Sequence, residues 1–219
     1  NASLEEDVET CVCIGTDKAV APLNTYGATK LLMEKLFVTA SNYLNPIRHK
    51  TKFIAVRYGN VLASNGSVVP KIIEQIKSNK KITITDPNMT RFNITMNQAL
   101  DLIERATTTG KGGEVFIPKL PAYRVGDLKD ILLDLFEGKN STEIISVRTG
   151  EKFHESLLTI DELRNTYESE YDYILMEKSG SRKNHNYEKT SLNENYSSDK
   201  VRLLTKDELK DILLKEGVL

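Results

Sequence analysis

Tryptophan is absent from these 219 residues, and cysteine occurs only twice, as Cys11 and Cys13. Two cysteines separated by Val12, with no second pair and no histidine nearby, supply neither a disulfide framework nor a metal-ligand set. They read as buried free thiols on one face of a strand, in a reducing compartment. No apolar run approaches the roughly 18 residues that a membrane-spanning helix needs. Neither charge sign dominates: 30 Lys+Arg face 31 Asp+Glu, for a net charge of -1. That balance leaves no basic footprint for nucleic acid. No secretory leader is visible, so a cytoplasmic protein is expected. No Gly-x-Gly-x-x-Gly occurs anywhere, so the chain holds no glycine loop to cradle a dinucleotide pyrophosphate. There is also no initiating Met, and the chain reads as N-terminally incomplete.

What is present alternates. The spacing predicts the end of a helix over Asn1–Glu9, then a short strand over Thr10–Gly15. A helix is expected over Tyr26–Asn42, with Leu31, Leu32, Met33, Leu36 and Phe37 as its core face. Lys52–Val61 reads as a strand whose Phe53-Ile54-Ala55-Val56 run suits a parallel sheet buried on both faces. Ser64-Asn65-Gly66-Ser67 turns the chain, and Pro70 lies near the start of a helix running to about Asn79. Strand Ile82–Thr85, helix Met96–Thr107, strand Glu114–Pro118 and helix Val125–Glu137, ended by Gly138, follow. Ile144–Val147 reads as a strand, Phe153–Leu157 as the start of a helical element, and Leu209–Leu214 as a terminal helix. Glu177–Lys200 is polar and Asn/Ser-rich, and reads as a flexible excursion. Alternating elements with buried strands indicate an α/β fold.

The chemistry concentrates in fifteen residues. Tyr26 and Lys30 stand four apart, on one face of the expected helix. An ammonium beside a phenol favours the phenolate, a base able to take a proton from a sugar hydroxyl near neutral pH. Tyr-x-x-x-Lys alone is weak, since 9 tyrosines and roughly one lysine in ten residues give about one chance match. A second match, Tyr196 to Lys200, lies in the polar tail and reads as noise. Asp17-Lys18 just upstream adds another acid/base pair, which simple alcohol oxidation does not need.

The run Gly15-Thr16-Asp17-Lys18-Ala19-Val20-Ala21-Pro22 through Tyr26-Gly27-Ala28-Thr29-Lys30 resembles the active-site segment of the nucleotide-sugar branch of the extended short-chain dehydrogenases/reductases. Arg57-Tyr58-Gly59-Asn60-Val61, Gly66-Ser67-Val68-Val69-Pro70, Met89-Thr90-Arg91-Phe92, Gly113-Glu114-Val115-Phe116-Ile117-Pro118-Lys119 and Arg148-x-Gly150-Glu151-Lys152-x-His154-Glu155 follow in order. Together they resemble the inverting UDP-N-acetylglucosamine 4,6-dehydratases of the pseudaminic acid pathway, over residues 10 to 176. The resemblance implies the C-terminal part of a Rossmann-type doubly wound parallel sheet plus a smaller α/β substrate lobe. It places the rest of the dinucleotide-binding domain in 1–62, mainly substrate lobe in 63–176, the polar segment in 177–200 and a C-terminal helix in 201–219. It also implies that roughly 115 residues with the phosphate-binding loop precede the chain.

The resemblance further implies roles. Tyr26 takes the proton of the sugar 4-hydroxyl, and Lys30 holds the nicotinamide ribose, so both touch the cofactor, NADP with NAD not excluded. Thr16 hydrogen-bonds the oxygen at C4, Lys18 exchanges the C5 proton with inversion, and Asp17 protonates the departing 6-hydroxyl. Lys18, Asn60, Val61, Arg91, Arg148 and Glu151 contact UDP-N-acetylglucosamine, with the arginines toward the pyrophosphate. His154 takes a structural hydrogen bond. A homo-oligomer is implied. Two departures stand out: Gly15 where the family usually has Ser, and Asn93 where an aromatic commonly follows Arg-Phe. Two other readings stay open, a UDP-sugar 4-epimerase on the same fold and a catalytically silent fragment that binds or assembles. The epimerase would have no use for Asp17-Lys18.

Overall fold

The structure, a computed structural model, describes residues 2–40, 44, 48–176 and 187–218. The chain divides into two compact units, each built from three separate stretches.

The first unit comprises Asn1–Tyr58, Asn97–Lys119 and Ser156–Tyr196. A short helix α1 (Ala2–Glu5) leads into β1 (Thr10–Ile14), and the long helix α2 (Thr25–Thr39) into β2 (Lys52–Val56). Helix α4 (Met96–Thr109, its first residue in the second unit) precedes β5 (Glu114–Pro118). After β8 (Ser156–Leu158) come β9 (Thr166–Glu168), β10 (Asp172–Met176) and β11 (Glu188–Lys189). Six strands form one sheet in the order β1-β2-β5-β10-β9-β11. β1, β2 and β5 are parallel, with Val12 opposite Ile54 and Val56 opposite Phe116. From β5 onward the pairing is antiparallel. Ile54, Val56, Phe116 and Ile174 pack beneath Leu102 and Ala106 of α4, all at 2 % exposure or less. This is the two-sided burial that makes β2 and β5 continuous apolar runs.

The second unit comprises Gly59–Met96, Leu120–Glu155 and Ser197–Leu219. It holds α3 (Val68–Lys77), β3 (Ile82–Ile84), β4 (Thr90–Phe92), β6 (Ala122–Arg124), α5 (Val125–Leu135), β7 (Thr142–Ile144) and α6 (Lys206–Lys215). β3 pairs parallel with β7, and β4 antiparallel with β6. Ile72, Ile82, Leu128, Leu132 and Leu213 are fully buried at its centre. Helix α6 starts at a capping box between Thr205 and Glu208. It is tied to α5 by Lys206 to Asp130 and Lys210 to Asp134, both at 2.8 Å.

Several sequence expectations need correction. Leu32 and Leu36 are 59 % and 63 % exposed; the buried residues of α2 are Gly27, Glu34 and Val38. A buried carboxylate replaces the expected leucine face because Arg57 meets Glu34. Strand β2 stops at Val56 rather than Val61, since the Arg57 N–H bonds Phe116 O and the chain then leaves the ladder. The element expected as helical over Phe153–Leu157 is instead strand β8, with Leu157 and Leu158 fully buried. The strand placed at Ile144–Val147 is β7, three residues that are all exposed. Of the stretch 177–200, residues 177–186 lie outside the described ones. In the remainder, Glu188–Lys189 pairs with β9, and Tyr196, Ser197 and Ser198 are buried. Cys13 is buried as expected and Cys11 only half-buried.

Candidate active site

The first unit carries the residues expected to act as acids and bases. Strand β1 ends at Ile14, and Gly15 N–H donates to Val56 O at 2.7 Å. A Cβ at Gly15 would lie 2.6 Å from that carbonyl and 3.4 Å from Glu34 Oε2. Glycine at this departure from the family pattern therefore allows the close approach of β1 to β2. Thr16 caps a single 3-10 turn, Asp17–Ala19, its hydroxyl accepting from the Lys18 N–H at 3.3 Å. The same hydroxyl donates to Asp17 Oδ1 at 2.9 Å, and Lys18 Nζ reaches that oxygen at 3.1 Å. Asp17 is 3 % exposed, while the Lys18 side chain is 40 % exposed. Thr16, Asp17 and Lys18 thus form one hydrogen-bonded group with a buried carboxylate and an accessible ammonium.

Helix α2 brings the second pair. Asn24 caps it, its side chain accepting from Gly27 N–H at 2.9 Å. Tyr26, in the first turn, is 56 % exposed. Lys30 sits one turn on, with Nζ 5.6 Å from the Tyr26 ring centre. Between them lies Gly27, where a Cβ would meet the Lys18 carbonyl at 2.5 Å and Pro22 Cβ at 2.9 Å. The absence of a side chain there lets the first turn of α2 lie against the Lys18 backbone. The structure therefore gathers Thr16, Asp17, Lys18, Tyr26 and Lys30 in one unit, with the loop and the helix in direct contact. Burial, followed by the charge of Glu34, pushes the nearby Cys13 thiol up.

The second unit carries the expected substrate residues. Asn60 is exposed, and Val61 makes an isolated parallel bridge to Ile94. Arg91 is held along the 151–155 segment. Its guanidinium donates to Thr90 O at 2.7 Å and to Phe153 O and Lys152 O at 3.1 Å. Glu151 and Glu155 face it at 3.5 and 3.7 Å. Glu151 also accepts from the Arg148 N–H at 3.3 Å, while the Arg148 residue is exposed. Arg91 and Glu151 are thereby brought together, and Arg148 joins them through its backbone N–H. His154 pairs through Nδ1 with Thr90 Oγ1 at 2.7 Å, and Thr90 Oγ1 also meets Ser198 Oγ at 2.7 Å, a structural arrangement. Burial pushes the neighbouring Tyr123 hydroxyl up to about 12.

Two polar groups in this unit, Ser67 within a motif and Asn93 as a departure, carry a feature that the sequence does not show. Among the described residues, Ser67 Oγ and Asn93 Oδ1 are buried without a hydrogen-bond partner. Ser67 stands at the N-terminus of α3 yet makes no side-chain cap bond. The signal was present in Gly66-Ser67-Val68-Val69-Pro70, a turn leading into a helix, but nothing in sequence marks a hydroxyl as unsatisfied.

A Rossmann-type α/β frame that groups the side chains of Thr16, Asp17, Lys18, Tyr26 and Lys30 is what these features define. The chain belongs to the polysaccharide biosynthesis protein family, whose profile matches residues 1–177. An uncharacterized membrane protein of Methanocaldococcus jannaschii is 38 % identical over 218 residues, covering 96 % of this chain and 63 % of its own length. A UDP-glucose 4-epimerase of Rickettsia massiliae is 36 % identical over 220 residues, covering 98 % of this chain and 64 % of its own. The chain thus spans somewhat under two thirds of these relatives. The crystal structure of Pen from Bacillus thuringiensis superposes with a TM-score of 0.90 at 34 % identity, over 100 % of this chain and 65 % of that one. The dTDP-glucose 4,6-dehydratase of Bacillus anthracis, solved with NAD, shares the fold at 14 % identity, with a TM-score of 0.58 over 68 % of this chain and 53 % of its own. Among the described residues, no helix is long and apolar enough to cross a membrane.

Proposed function

We propose that the whole protein modifies a UDP-linked hexosamine, opening with oxidation at C4 and continuing to 4,6-dehydration with inversion at C5. The observation that carries the reading is the Thr16–Asp17–Lys18 group packed against the helix of Tyr26 and Lys30. Tyr26, exposed in the first turn of α2, takes the proton of the C4 hydroxyl, and Lys30 favours its ionised form. Thr16 donates to the oxygen at C4 as it becomes a carbonyl. That carbonyl acidifies the C5–H. Lys18, accessible and tethered by Asp17, passes a proton to that carboxylate across their 3.1 Å contact, takes the C5 proton as the neutral amine, and later returns one from the opposite face. Asp17 protonates the 6-hydroxyl as it departs. A buried acid hydrogen-bonded to an accessible amine suits elimination, whereas a 4-epimerase needs neither group.

A nicotinamide cofactor, when bound, supplies the hydride acceptor and donor. The residues present fit its nicotinamide end: Lys30 is half-buried beside Tyr26, placed for ribose hydroxyls. The chain has no Gly-x-Gly-x-x-Gly loop of the kind that holds a dinucleotide pyrophosphate. In the second unit, Arg91, Arg148 and Glu151 suit a nucleoside diphosphate. The unsatisfied Ser67 hydroxyl at the start of α3 suits a phosphate oxygen.

The competing reading, 4-epimerisation, is favoured by the names of the Rickettsia relatives. Proton NMR of the product made from UDP-N-acetylglucosamine separates them. A C6 methyl signal supports dehydration. A retained hydroxymethyl with changed C4 configuration supports epimerisation and removes the roles given to Asp17 and Lys18.

A further inference from the structure

Arg57 is fully buried, and its guanidinium uses all five of its N–H donors. Nε and Nη2 grip both oxygens of Glu34 at 2.9 and 2.5 Å. Nη1 and Nη2 reach Glu162 at 3.2 and 2.9 Å, and Nη1 also donates to Leu157 O at 2.8 Å. Burial alone would lower the guanidinium pKa, but bonds and charge from Glu34 and Glu162 raise it above its ordinary value. Apolar packing could fill such a place at less cost than a buried cation between two carboxylates. The arrangement therefore invites a positional explanation.

Glu34 lies on α2, one turn beyond Lys30 and two beyond Tyr26. Residues four apart on a helix drift by only about 40° around its axis, so the three share one stripe. Gripping Glu34 therefore fixes the rotation of α2. A rotation of about 20° would carry a side-chain tip at ~6 Å radius by roughly 2 Å. The residues flanking Arg57 hold the other half of the site. Val56 O accepts from the Gly15 N–H at 2.7 Å, and Tyr58 O from the Asp17 N–H at 3.1 Å. Residues 56–58 thus carry the Thr16–Lys18 loop by backbone bonds and the Tyr26–Lys30 helix by one side chain.

We propose that Arg57 is a positioning residue: through Glu34 it sets the rotation of α2, so that Tyr26 and Lys30 are presented in register with Thr16, Asp17 and Lys18. This rests on the catalytic reading of those five residues given above.

The test compares Glu34→Gln, Glu162→Gln and Arg57→Lys in the full-length protein. Each is measured for unfolding by urea, for kcat and KM with UDP-N-acetylglucosamine under conditions where it is folded, and for amide hydrogen exchange over residues 15–34. Both glutamine variants remove one carboxylate from the same guanidinium, so a merely structural role affects them alike. Positioning predicts that E34Q and R57K lose about 10- to 100-fold in kcat with KM near wild type. E162Q loses stability but keeps kcat within about twofold. Exchange at residues 15–18 and 25–31 quickens in E34Q and not in E162Q. Where E34Q does not fold, Glu34→Asp, which keeps the charge and shortens the arm, takes its place. Equal kcat losses in the two glutamine variants would overturn the proposal. Wild-type protein that turns over no nucleotide sugar would refute the functional reading instead. The exchange pattern then judges the clamp alone: quickening confined to E34Q upholds it, and unchanged exchange in E34Q overturns it.

Discussion

Replacing Gly27 by alanine puts the packing of helix α2 to a sharp test. On an ordinary helix this change stabilises, since glycine is about 1 kcal/mol worse than alanine inside a helix. Here the new Cβ would lie 2.5 Å from the Lys18 carbonyl and 2.9 Å from Pro22 Cβ. Backbone and a proline ring yield little, so overpacking should cost about 1–3 kcal/mol and cancel or reverse the helix gain. Restoring an ordinary 3.4 Å contact needs a separation of 3.4 − 2.5 = 0.9 Å between α2 and the Lys18 backbone. A shift near 1 Å in catalytic groups costs about 10²-fold in rate. The expected outcome is net destabilisation of up to ~2 kcal/mol in urea titration together with a kcat loss on the order of 100-fold. A G27A protein more stable than wild type and within twofold of its kcat would refute the argument that this close approach positions Lys18 against Tyr26 and Lys30.

Three further outcomes are expected. Asp172, buried and held by both nitrogens of a bidentate contact from Arg105 at 2.6 and 2.7 Å, loses about 3 kcal/mol on change to alanine, measured by urea unfolding. Burial would raise the Glu162 carboxyl, but Arg57 overrides it and holds it below its ordinary 4.5. Its contribution is present above that ordinary value and is lost as pH falls through the lowered one, so E162Q should flatten the decline of stability in acid. Thr205→Ala removes the N-cap of α6 and should cost about 1 kcal/mol, read by thermal or urea unfolding.

The strands of the parallel sheet were legible because double burial writes itself as an apolar run: Phe53–Val56 and Glu114–Pro118 appear as read. The helices expected from near Pro70 to Asn79, over Met96–Thr107 and over Val125–Glu137 appear as α3, α4 and α5. The α2 face was misread because periodicity counts leucines and has no means of seeing that Glu34 is neutralised by Arg57, 23 positions away. Strand β8 was misread because three residues carry too little pattern to tell a buried strand from a helical start. The site divides in the same way. Thr16, Asp17, Lys18, Tyr26 and Lys30 lie within fifteen residues and could be read as a motif. Gly15 stood out as a departure and Gly27 only as part of the motif, because the lack of room for a Cβ at each is a fact of tertiary packing. The unsatisfied Ser67 and Asn93 groups are facts of tertiary surroundings that no local pattern carries.

The central claim is that Lys18, tethered by Asp17, moves the C5 proton of an oxidised sugar. Its most direct test incubates the full-length wild type and its Lys18→Met variant with UDP-N-acetylglucosamine in heavy water and follows the sugar by proton NMR. The account predicts a wild-type product with a C6 methyl and deuterium at C5 in the inverted configuration, and no such product from K18M. Wild type that leaves C5 protonated and the hydroxymethyl intact, or K18M that forms the deuterated product at the wild-type rate, would contradict it.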